Sequence, residues 1–69
     1  MSTPTAAVVL IGNEVLSGRT QDKNLVYLGR RLGELGIDVV EARVVRDIEA
    51  AIVEAVNQLR ARCDYVFTT

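Results

Sequence analysis

No stretch restricts this chain more than Ala6-Ala7-Val8-Val9-Leu10-Ile11, an apolar run that stops abruptly at Gly12-Asn13-Glu14. No polar residue interrupts the run to mark a solvent side, so it reads as a strand buried on both faces, the pattern of a parallel sheet covered by helices. Gly12 then permits a sharp turn or the close approach of another group. Asn13 and Glu14 fall at the carboxyl end of the strand, where open α/β sheets place their ligands.

The rest of the chain alternates between helical and strand periods. Residues 1–5 read as a frayed polar tail. After the first strand, a loop from Gly12 to about Gln21 carries small polar residues, with Val15 and Leu16 pinning it to the core. A helix begins near Asp22, with Thr20 or Asp22 as its cap. Leu25, Leu28, Leu32 and Leu35 form its apolar stripe, and Gly36 ends it. Gly29 and Gly33 lie four apart on an adjacent face and read as a place for close packing, because each Gly costs a helix about 1 kcal/mol against Ala. Ile37 to Val45 is a second strand whose Asp38, Glu41 and Arg43 suit a sheet edge. Asp47 is the expected cap of a second helix, with Ile48, Ala51, Ile52, Ala55, Val56 and Leu59 on its buried face. Arg60 and Arg62 suit the negative end of its dipole. Tyr65 to Thr69 is a third strand, aromatic and β-branched.

A β-α-β-α-β order predicts an α/β fold with a parallel sheet and right-handed crossovers. The charged second strand belongs at an edge and the apolar first at the centre, so the strand order is 2-1-3. That order puts a switch point between strands 1 and 3, where Gly12-Asn13-Glu14 and Thr68-Thr69 share one crevice. Strand 3 would then be an uncovered apolar edge. The expectation is that residues 6–69 are the amino-terminal part of a larger domain, or borrow structure from another chain.

Composition narrows the function. With 69 residues the chain is one domain at most, with a modest core. A net charge of −1 provides no basic field, which argues against sequence-independent nucleic-acid binding. The longest apolar run is too short to span a bilayer. The first residues do not read as a signal peptide, so a cytoplasmic location is expected. The single cysteine, Cys63, excludes an internal disulfide, and without a His to activate it reads as a small apolar side chain. Arg30 and Arg31 read as solvated.

Several side chains near the crevice have two readings each. Glu14 serves a divalent metal or a ligand hydroxyl, or it caps a loop. Ser17 and Gly18 offer hydroxyl and N–H donors to a phosphate, or form a polar surface loop. Asp22 and Asn24 open a helix whose N-terminus favours anions, or simply cap it. Thr68 and Thr69 contact a ligand, or are plain strand residues.

The segment Gly12-Asn13-Glu14-Val15-Leu16-Ser17-Gly18-Arg19-Thr20-Gln21-Asp22-Lys23-Asn24 resembles the molybdopterin-binding fold of molybdenum-cofactor biosynthesis proteins. Leu35-Gly36-Ile37, Val44-Val45-Arg46-Asp47 and Asp64-Tyr65-Val66-Phe67-Thr68-Thr69 match in the same order, so the likeness runs from the first strand to the end. Within that family the chain is most similar to the CinA amino-terminal-domain branch and to the amino-terminal domain of eukaryotic FAD synthases. In the family, Thr-Thr precedes a Gly-Gly-x-Gly-Pro loop and an acidic cluster, neither of which this sequence contains. The resemblance implies a pterin or nucleotide ligand carrying phosphate, bound around Gly12, Asn13, Glu14, Ser17, Gly18, Asp22, Asn24, Thr68 and Thr69. It implies a three-layer α/β fold built on a parallel sheet, and a homo-oligomer that takes a small molecule rather than a nucleic acid or a membrane. In the CinA and FAD-synthase branches it also implies hydrolysis of a nucleotide pyrophosphate such as ADP-ribose or FAD, with a divalent metal such as Mg²⁺ held by Glu14. A fragment that only oligomerises, without catalysis, is the remaining reading.

Overall fold

Strand β1, Thr5–Ile11, is the axis of the molecule, with Ala6, Ala7, Val8 and Val9 fully buried and Leu10 2% exposed. The computed structural model describes residues 3–12 and 23–69, with side chains from Leu25 onward in the second stretch. The frayed tail at Met1 and Ser2, the loop with its Val15 and Leu16 anchors, and the Thr20 or Asp22 cap lie outside the described residues. The remaining elements are α1 (Lys23–Glu34), β2 (Asp38–Val45), α2 (Glu49–Arg60) and β3 (Tyr65–Thr68). The sheet order is β2-β1-β3 and both pairings are parallel, as the two kinds of strand require.

Period-2 alternation assigns the faces. Ala7 and Val9 pack with Ala55 and Leu59 of α2, joined by Ile11, Val45, Val56, Cys63 and Val66. Ala6, Val8 and Leu10 therefore face the other side, where α1 lies against β2 and buries Leu32. The first crossover runs from β1 to β2 and the second returns from β2 past β1 to β3, and this reversal puts the two helices on opposite faces, which gives the three layers. Cys63 packs half-buried against the core as an apolar side chain.

Helix α1 ends in a left-handed glycine. Gly36 has φ +81°, its N–H donates to the Gly33 carbonyl at 3.1 Å, and the Ile37 N–H donates to the Leu32 carbonyl at 2.8 Å. This is the paired closure that satisfies the last free carbonyls of a helix. It places Leu35 beyond the helix, 64% exposed, so the apolar stripe stops at Leu32. A Cβ built at Gly29 or Gly33 meets nothing within 4 Å among the described residues, so the close packing expected of them is not seen there. Gly33→Ala is therefore expected to stabilise the chain by about 0.5–1 kcal/mol, by removing backbone freedom from the unfolded state. A urea-unfolding midpoint that rises at constant slope is the check.

Two local departures matter. The β1–β2 register shifts between Ala6 and Ala7, so Val40 is an extra residue opposite no partner and stands exposed. Such a bulge twists an edge strand away from other chains. The first residue of α2 also comes later than Asp47 allows. The capping position is Ile48, extended at φ −130° and ψ 126°, with no side-chain cap, and its side chain is half-exposed. Asp47 lies outside the capping position, and Glu49 puts the acidic charge in the first turn.

Beyond the bulge, Glu41 and Arg43 point to the α2 face of β2. Arg43 Nη2 donates to Glu41 Oε2 at 2.8 Å, Arg62 Nη2 donates to Glu41 Oε1 at 2.7 Å, and Arg43 Nη1 donates to Gln58 Oε1 at 2.5 Å. The hydrogen bond from Arg43 and the charges of Arg62 and Arg43 outweigh desolvation, and hold the Glu41 carboxyl below its ordinary value. A depressed folded-state pKa contributes stability above the unfolded pKa, and that contribution is lost as pH falls through the folded one. Glu41→Gln is expected to be slightly less stable than the wild type at neutral pH. The two urea midpoints should converge on the acid side of the ordinary Glu range, where Glu41 is protonated.

Candidate functional site

At the carboxyl ends of the strands, Gly12 is the junction. It is buried, and its N–H donates to the Val45 carbonyl of β2 at 3.1 Å. One residue earlier, the Ile11 N–H donates to the Thr69 carbonyl at 2.8 Å, and the Thr69 N–H donates to the Val9 carbonyl at 3.0 Å. The first and third strands thus stay paired to the point where the chain leaves β1. Gly12 has φ +153°, a backbone conformation that side chains other than glycine rarely adopt. A Gly here serves the conformation as well as access.

The predicted crevice is therefore present on its described side: Gly12, Thr68 and Thr69 come together at one end of the sheet. The backbone of Asn24 lies in the first turn of α1. The Asn24 side chain, and Asn13, Glu14, Ser17, Gly18 and Asp22, lie outside the described residues. Among the described residues no group of three or more His, Cys, Asp or Glu could hold a metal ion.

Thr68 and Thr69 border a cleft of about 260 Å³, completed by Tyr27 and Leu28 of α1 and by Phe67. Phe67 pairs in register with Val8, so its ring stands on the α1 face of the sheet. Among the described residues that line it, none has a charged side chain. The cleft offers aromatic and aliphatic surface, with two threonines at its polar rim. Tyr27 and Phe67 are not among the residues that the sequence suggested. The available signal was Tyr27 beside Leu28 of the apolar stripe, a large ring with a polar tip at the edge of a buried face.

At the opposite end of the sheet, bonds between residues far apart in sequence tie β1 to β3. Asp64 Oδ2 accepts from the Thr5 N–H at 2.8 Å, and the Asp64 N–H donates to the Thr5 carbonyl at 3.1 Å. These bonds join the starts of β1 and β3. Among the described residues no helix is long and apolar enough to cross a membrane.

Comparison with known proteins gives the same outline. A family model described as "Probable molybdopterin binding domain" matches residues 7–69. A protein from Pyrobaculum calidifontis is 41% identical over 66 residues, covering 96% of this chain and 25% of the relative. A "Probable FAD synthase" from Caenorhabditis briggsae is 40% identical over 65 residues, covering 94% of this chain and 12% of the relative. The crystal structure of the protein CinA from Thermoplasma acidophilum superposes with a TM-score of 0.90 at 32% identity, covering 96% of this chain and 39% of that one. The chain thus spans a quarter or less of the length of these curated relatives.

Proposed function

The chain belongs to the family of molybdopterin binding domains, and from that premise we propose that it binds a pterin or nucleotide ligand carrying phosphate at the carboxyl end of its sheet. The observation that supports this most is the Gly12–Thr69 junction. It keeps two strand ends together beside a cleft whose described lining is aromatic, aliphatic and threonine, at the switch point where parallel sheets receive ligands. Gly12, Thr68 and Thr69 form the described wall. Asn13, Glu14, Ser17, Gly18, Asp22 and Asn24 supply the polar remainder, with the N–H groups of the α1 start favouring the phosphate. The working unit is a cytoplasmic homo-oligomer. The likeness to the molybdopterin binding family supports that reading.

A nucleotide in place of a pterin is favoured by one finding, the likeness to a protein named as an FAD synthase. In that second reading the domain cleaves a pyrophosphate bond with Mg²⁺, and Glu14 serves the metal. Calorimetric titration with molybdopterin, ADP-ribose and FAD, each with and without Mg²⁺, separates the readings. Binding of one ligand class is expected, and no heat with any of the three contradicts a ligand-binding role. If ADP-ribose or FAD is hydrolysed, Glu14→Gln is expected to abolish the metal-dependent rate, and an unchanged rate removes Glu14 from the metal.

A further inference from the structure

We propose that Tyr27 and Phe67 form a stacking platform for the fused planar ring of the ligand, with Thr68 and Thr69 facing the polar edge of that ring. The inference rests on the ligand-binding reading above and adds to it the part of the ligand that this cleft takes. Three observations carry it.

The chain has only three aromatic residues, Tyr27, Tyr65 and Phe67. Tyr65 and Phe67 lie two apart on one strand face, with ring centroids 6.3 Å apart and planes inclined by 22°. Tyr27 reaches the same region from α1, so an aromatic residue stands on each side of the cleft. Tyr27 is also 63% exposed although the helix has a buried face beside it. A ring left open to solvent next to a cleft offers an apolar surface with a hydroxyl tip, suited to a flat heterocycle. Finally, the cleft volume of about 260 Å³ lies just below the usual range for whole small-molecule sites. It suits a ring system, while the phosphate lies outside it toward Gly12. The uncharged side chains of the described lining residues agree with this division.

The test uses the 69-residue chain, with ADP-ribose and molybdopterin as ring-bearing probes and ribose 5-phosphate as a probe without a base. For whichever ring-bearing probe binds the wild type, Tyr27→Ala should weaken binding about tenfold or more, the range of base–aromatic stacking. Tyr27→Phe should stay close to wild type, and any binding of ribose 5-phosphate should be unchanged by either substitution. The exposure of Tyr27 makes misfolding of the variants a minor concern, and circular dichroism verifies it. Wild-type affinity for the ring-bearing probe in Tyr27→Ala overturns the platform and leaves the ligand-binding reading standing. A wild-type chain that binds neither of these probes, nor FAD, overturns both.

Discussion

Leu59→Ala is expected to remove most of the folded population. Leu59 is fully buried on α2, in contact with Ala7, Val9 and Ala55 at the centre of the α2-side core. Truncating a buried leucine costs about 2–5 kcal/mol, through lost transfer free energy and the cavity left behind. A chain of this length has roughly 3–10 kcal/mol of stability in all. The loss is therefore comparable with the total. Val53→Ala supplies the comparison on the same helix, because Val53 is half-exposed and its loss should shift stability by no more than about 0.5 kcal/mol. Urea unfolding followed by circular dichroism measures both. Equal effects of the two substitutions would contradict the placement of the core.

The second large effect is expected at Gly12. A valine there must adopt φ near +153°, where a β-branched side chain is strained, so Gly12→Val should lower stability by about 1–3 kcal/mol. It should also weaken ligand binding by more than about tenfold, because the added side chain sits at the junction of β1, β2 and β3. Gly36→Ala separates the two effects. Gly36 has φ +81° and lies before β2, away from the carboxyl edge. Its substitution should carry the strain while leaving ligand affinity unchanged. Loss of affinity in both variants would mean that Gly12 acts through stability alone.

The contrast between β1 and β2 explains why so much of the architecture is legible in the sequence. A run without polar residues has only one kind of place in a sheet, the centre. A strand carrying Asp38, Glu41 and Arg43 has only one kind too, the edge. The order 2-1-3 results, and with it the meeting of Gly12 with Thr68 and Thr69. The details that escape the sequence depend on tertiary fit. Val39 and Val40 look alike, and nothing local says which one the register leaves out. Asp47 is a good cap by chemistry, but the helix begins one residue later and Ile48 takes the capping position. The glycines of α1 suggest close packing by type, but the described structure leaves space around both. Tyr27 and Phe67 are far apart in the chain, and only the placement of α1 against the sheet joins them in one cleft.

The central claim is that the ligand enters at the carboxyl end of β1 and β3. Amide chemical shifts of the ¹⁵N-labelled chain, followed during titration with the ligand found by calorimetry, test it directly. The account predicts that the largest shifts among the described residues fall at Gly12, Thr68 and Thr69, with Tyr27 and Phe67 next. Shifts concentrated instead at Thr5, Asp38 and Asp64, at the opposite end of the sheet, would contradict it.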